Sequence, residues 1–134
     1  MTATITAKGI RFVFLPRGGV LGDLAVEDEG QTISPLHAAP WQADEVPPEA
    51  PPHQRWLAGD FLAAPMGPGP DGLHGLTANG DWRITPAADG VVRAVLDGAV
   101  NGATVVKELS LHDHHPFVYQ RHLFIGGSGA LPVS

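Results

Sequence analysis

Between Trp56 and Ile84 the chain sets an acid, an imidazole, an amide and an indole on a stretch broken by glycine and proline. The pieces read Gly59-Asp60-Phe61, Pro65-Met66-Gly67, Leu73-His74-Gly75 and Asn79-Gly80-Asp81-Trp82. Loops are surface segments held by a rigid scaffold, so polar side chains on them can meet a ligand. His74 can give or take a proton near neutral pH. Trp82 offers a flat apolar wall with one N–H donor, and Asp60 and Asn79 offer groups that bind hydroxyls. This equipment suits a sugar, whose ring carries hydroxyls on its rim and C–H bonds on its faces. His74 is the candidate acid or binding group; Asp60, Asn79 and Trp82 are candidate binding residues. The bland alternatives are a turn histidine, a turn-forming acid, a hairpin-type Asn79-Gly80 turn and a core tryptophan.

Two further groups carry chemistry. Arg121 and His122 are adjacent, so on a strand their side chains point to opposite faces and at most one can enter a given groove. A buried Arg121 would need a carboxylate or a ligand oxygen, which makes it a fifth binding candidate. His112-Asp113-His114-His115, with His122 further on, places imidazoles close enough in sequence for a transition-metal site. Pro116 follows directly and favours a turn, so the expectation is a solvated corner with no metal. The cluster also lacks the glutamate that a cupin-type metal site would need after His112 and His114.

The elements that must position these residues are short. Seventeen glycines and thirteen prolines in 134 residues leave no uninterrupted helical periodicity. Strand-like runs cover Ile10–Leu15, Val20–Val26, Phe61–Ala64, Trp82–Thr85, Val91–Asp97, Ala103–Leu111 and Phe117–Ile125. Asp97-Gly98 and Asn101-Gly102 lie between two of them as hairpin signals. The pattern predicts an antiparallel all-β sandwich in a single domain, residues 1–134, with the last run inside it beside a polar groove. Residues 35–56 hold six prolines and read as a long loop within that domain, with Trp41 and Trp56 available to pin it.

Bulk properties narrow the function. A net charge of −6, with Lys8 and Lys107 the only lysines, argues against binding a phosphate backbone and therefore against nucleic acid. Without cysteine there are no disulfides and no thiolate chemistry. The N-terminus lacks the pattern of a signal peptide, and no run is long enough to span a membrane, so the expectation is a cytoplasmic protein without a membrane partner.

His74-Gly75 followed by Trp82-Arg83-Ile84, with Gly59-Asp60-Phe61 and Pro65-Met66-Gly67 upstream, resembles a segment of the galactose mutarotase-like superfamily. That superfamily includes the aldose 1-epimerases. Tyr119-Gln-Arg-His-Leu-Phe124 and Gly126-Gly-Ser-Gly-Ala-Leu-Pro132 are similar to the strand and turn that follow in some members. The resemblance implies a supersandwich fold, interconversion of sugar anomers by acid–base ring opening, no cofactor and a hexose-like substrate. It matches His74 to the family histidine and Trp82 to the family tryptophan. Where the family has Gly-Arg-Ile, this chain has Gly59-Asp60-Phe61. The family's second histidine and its glutamate base would lie beyond Ser134, and none of Glu27, Glu29, Glu45, Glu49 and Glu108 stands in a matching context. The chain thus looks like an N-terminal portion of such a sandwich, with the catalytic pair incomplete and strand edges free to form a homodimer. A noncatalytic sugar-binding or structural sandwich is the alternative.

Overall fold

Most of the strand-like runs between turn residues become strands in the computed structural model, which describes residues 1–134. The first sheet is the meander β1 (Ala3–Ala7), β2 (Ile10–Leu15), β3 (Val20–Asp28) and β4 (Gln31–Ile33). The second is the meander β5 (Trp82–Thr85), β6 (Val91–Val100), β7 (Ala103–Ser110) and β8 (Tyr119–Gly126). All neighbouring pairs are antiparallel, so the fold is all-β and sandwich-like.

Period-two alternation selects the core. Strand β2 buries Ile10, Phe12 and Phe14, while β7 buries Val105 and Leu109 on the same face. These side chains meet Leu21, Trp82, Val92, Ala94 and Leu96 in one cluster drawn from both sheets. Each large apolar side chain so buried contributes roughly 1.5–3 kcal/mol.

The Asn101-Gly102 pair closes the β6–β7 hairpin with φ of 49° and 79°, the positive values a type I′ turn needs. Asp97-Gly98 does not form a turn. It lies inside β6, where the register with β7 shifts between Val95 and Ala99, so the pair makes a bulge instead.

Other expectations change as well. Phe61–Ala64 is not a strand; only Asp60 makes a bridge, to Leu21, and Ala63 bonds through its backbone to Ser134. Strands β1 and β4 went unread because Thr4 and Thr6, and the wholly exposed β4, offer little apolar signal. Strand β8 is not interior. It is the edge of the second sheet and largely exposed. The 35–56 segment is a loop holding two short 3-10 turns, Ala43–Glu45 and Pro52–Trp56. Both tryptophans tie it down: Trp41 donates to the Gln54 carbonyl and Trp56 to the Ala78 carbonyl. No helix is long and apolar enough to cross a membrane.

Candidate functional site

The His74-Gly75 segment is built from the backbone outward. His74 adopts φ 67° and Gly75 φ 74° at the start of a short helix, α1 (Gly75–Asn79). A Cβ at position 75 would collide with the Ala64 carbonyl oxygen, which explains why glycine must follow the histidine. The His74 N–H donates to Gly67 O, its carbonyl accepts from Ala64 N–H, and its Nδ1 accepts from Gly67 N–H at 3.2 Å. Its ring packs against His53 at 5.3 Å and Phe61 at 6.2 Å, centroid to centroid.

Asn79 is wholly engaged in the same structure. Its Oδ1 accepts from the His53 backbone N–H at 2.9 Å and lies 3.2 Å from His53 Nδ1. Its Nδ2 donates to the Leu73 and Gly75 carbonyls. His53 is buried, and that burial lowers its pKa; the Asn79 bond opposes the shift and neighbouring His74 adds to it. An uncharged His53 can therefore sit beside His74 without repulsion. Asn79-Gly80 is a helix end here, not a hairpin turn.

Trp82 is 2 % exposed, and its indole N–H donates to the Thr77 carbonyl at 3.0 Å. It belongs to the core and has no face free to line a cleft. Arg121 points to the outer face of the second sheet, pairs with Glu108 at 2.8 Å and stands clear of the other candidates. The five sequence candidates therefore do not form one cleft: His74 and Asn79 consolidate a loop, Trp82 fills the core, and Arg121 joins a surface charge pair.

The His112–His115 turn is a corner. Asp113 accepts from the Lys8 backbone N–H, His115 Nδ1 lies 2.9 Å from the Tyr119 hydroxyl, and His112 packs edge-on to Tyr119. Nowhere do three His, Asp or Glu side chains converge as a metal would require.

Asp60 is the candidate that reaches an open groove. Two backbone hydrogen bonds to Leu21 clip it to the first sheet, and its Oδ2 accepts from Gln120 Nε2 of β8 at 2.6 Å. The groove, of about 320 Å³, runs between Asp60, Phe61 and Leu62 on one side and Gln120 and His122 on the other, with Val133 and Ser134 at its end. Phe61 also packs on His74, so the histidine supports the groove wall from behind.

One residue of this groove was read too narrowly, and another, buried beside it on β7, was missed. His122, read as a possible third metal ligand and as one of two neighbours of which at most one could enter a groove, lines this groove, and its Nε2 is buried without a hydrogen-bond partner. Burial first, then the Lys107 charge, push its pKa down to about 4, against an opposing pull from Asp60. Lys107 is its register partner on β7. It is 2 % exposed, donates to the Gly19 carbonyl across the sandwich and sits 5.1 Å from the Trp82 ring. Burial brings its pKa down to about 8, with Asp60 opposing. None of the four ion pairs of the chain includes it. The signal was present in the sequence: alternation puts Lys107 on the same face as Val105 and Leu109, where a lysine is out of place.

No protein family, curated protein or solved structure matches this chain.

Proposed function

We propose that this chain is a carbohydrate-binding sandwich of the mutarotase-like type, and that a hexose-like ring lies in the Asp60–His122 groove. The observation that carries the reading is the convergence there of a carboxylate, a carboxamide, an uncharged imidazole and a phenyl ring. Asp60 and Gln120 can exchange their mutual bond for sugar hydroxyls, and Phe61 supplies an apolar wall. The exposed Asp60 carboxylate disfavours a phosphorylated sugar, which would want arginines around the phosphate. The proposed partner is thus a neutral small-molecule sugar.

Anomer interconversion of the aldose 1-epimerase kind is the second reading, favoured by Asp60 standing beside His122. It requires a base for the anomeric hydroxyl proton and an acid for the ring oxygen. Asp60 fits the base. An imidazole held uncharged down to about pH 4 is a poor acid, which is why binding ranks ahead of turnover.

The test is NMR of freshly dissolved α-glucose or α-galactose with the protein. Saturable line broadening, weakened at least about tenfold in Asp60→Asn through loss of charge-assisted bonds, is expected. Faster anomer equilibration would promote the second reading. Absence of both sugar binding and rate enhancement would dispose of the carbohydrate assignment.

A further inference from the structure

Lys107 occupies a position that an apolar side chain would fill with less difficulty. Its neighbours on the inner face of β7 are Val105 and Leu109, both fully buried. A buried ammonium normally carries a carboxylate partner, because desolvation of an isolated charge is severe. Here the ammonium has one protein acceptor, the Gly19 carbonyl, and one aromatic face, Trp82. It lies cross-strand from His122, whose Nε2 is orphaned in the same interior. The one acid whose field reaches both is Asp60, on the groove rim.

We infer that Lys107 is a positioning residue: added to burial, its positive charge lying cross-strand keeps His122 an uncharged ring further into the acid range, so that Asp60 stays free of an imidazolium partner and open to ligand hydroxyls there. The inference rests on the groove reading for its consequence, though not for its electrostatics. The charged groups facing His122 are Lys107 from β7 and Asp60 from the segment clipped to β3; Gln120, its neighbour on the same face of β8, is uncharged. Remove the Lys107 charge and Asp60 acts on His122 alone. Its protonation then becomes easier, and in the acid range where it occurs an Asp60–His122 ion pair fills the groove. Carboxylate and imidazolium would satisfy each other rather than the sugar.

The experiment is an NMR pH titration of the histidine ring signals in the intact chain. In the wild-type protein His122 should titrate near pH 4, and its signals should shift again near pH 8 as Lys107 loses its proton. In Lys107→Met the midpoint should move up by about one unit, yet stay below an ordinary histidine because burial persists. Lys107→Arg, which keeps the charge, should restore the low midpoint. A midpoint unmoved in Lys107→Met, or no second shift near pH 8 in the wild-type protein, overturns the inference. The wild-type titration alone decides this if Lys107→Met does not fold. Binding of α-glucose at pH 4.5, where midpoints near 4 and about 5 leave about three quarters and about one quarter of His122 uncharged, should weaken about threefold in Lys107→Met and recover in Lys107→Arg. If the titrations behave as stated and no sugar binds, the electrostatic inference stands and the carbohydrate reading falls. If sugar binds but His122 ignores Lys107, the reverse holds.

Discussion

The His74–Trp82 segment and the groove beside β8 are both polar, and they use polarity in opposite ways. In the first, His74 Nδ1, both ends of the Asn79 amide and the Trp82 indole N–H all have acceptors or donors within the chain. These bonds stitch the Pro-rich loop, α1 and the core together. In the second, His122 Nε2 has no partner and Lys107 is buried without an ion pair, while Asp60 is exposed on the rim. Internally satisfied polar groups rigidify a structure; unsatisfied ones beside an opening retain free energy that a ligand can collect. Proximity in sequence points to the first region as a candidate site, whereas the pattern of unfilled hydrogen bonds points to the second as the one proposed here.

That contrast breaks most easily at Trp82. Trp82→Ala should destabilise the fold by about 3–5 kcal/mol in urea denaturation, as a core tryptophan does. A loss below about 1 kcal/mol, with sugar binding abolished, would return Trp82 to the role of a site wall. Asn79→Ala should cost about 1–3 kcal/mol, since it leaves the Leu73 and Gly75 carbonyls and the His53 N–H without their partner. Sugar affinity measured on the folded fraction should hardly change. A variant as stable as wild type but defective in binding would place Asn79 in the groove's service instead. The smallest effect is expected at Arg121, on the outer face with its side chain 61 % exposed. Arg121→Ala should alter stability by less than about 1 kcal/mol, because exposed ion pairs are worth little, and should leave binding untouched. Weakened binding there would sharpen the comparison by extending the site round the edge of β8.

Much of the scaffold was legible from residues alone. Ile10–Leu15 and Trp82–Thr85 were read with the bounds the structure gives, because alternation of apolar side chains against turn residues is a local signal. The two hairpin signals divided: Asn101-Gly102 forms the turn, while Asp97-Gly98 is absorbed as a bulge within β6. Either pair satisfies the same turn chemistry. Which one closed the hairpin was set by the strand register around it.

The site was less legible, for a physical reason. His74-Gly75 stands out in the chain because two successive positive-φ residues are needed where the backbone presses on Ala64, which is a demand of folding. Asp60 and His122 are sixty-two positions apart and come together only because Asp60 is clipped to β3 while β8 pairs with β7.

Composition, glycine and proline punctuation and period-two patterning determined that this protein is β-structured, cysteine-free and net acidic. Burial and register belong to the folded molecule. Tertiary structure alone decided that Trp82 is interior, that Arg121 faces away, and that Lys107, whose inward face the alternation signals, pairs in register with a histidine that has an unfilled hydrogen bond. Desolvation and unsatisfied polar groups arise when distant strands exclude water together, and no local pattern of residues encodes that.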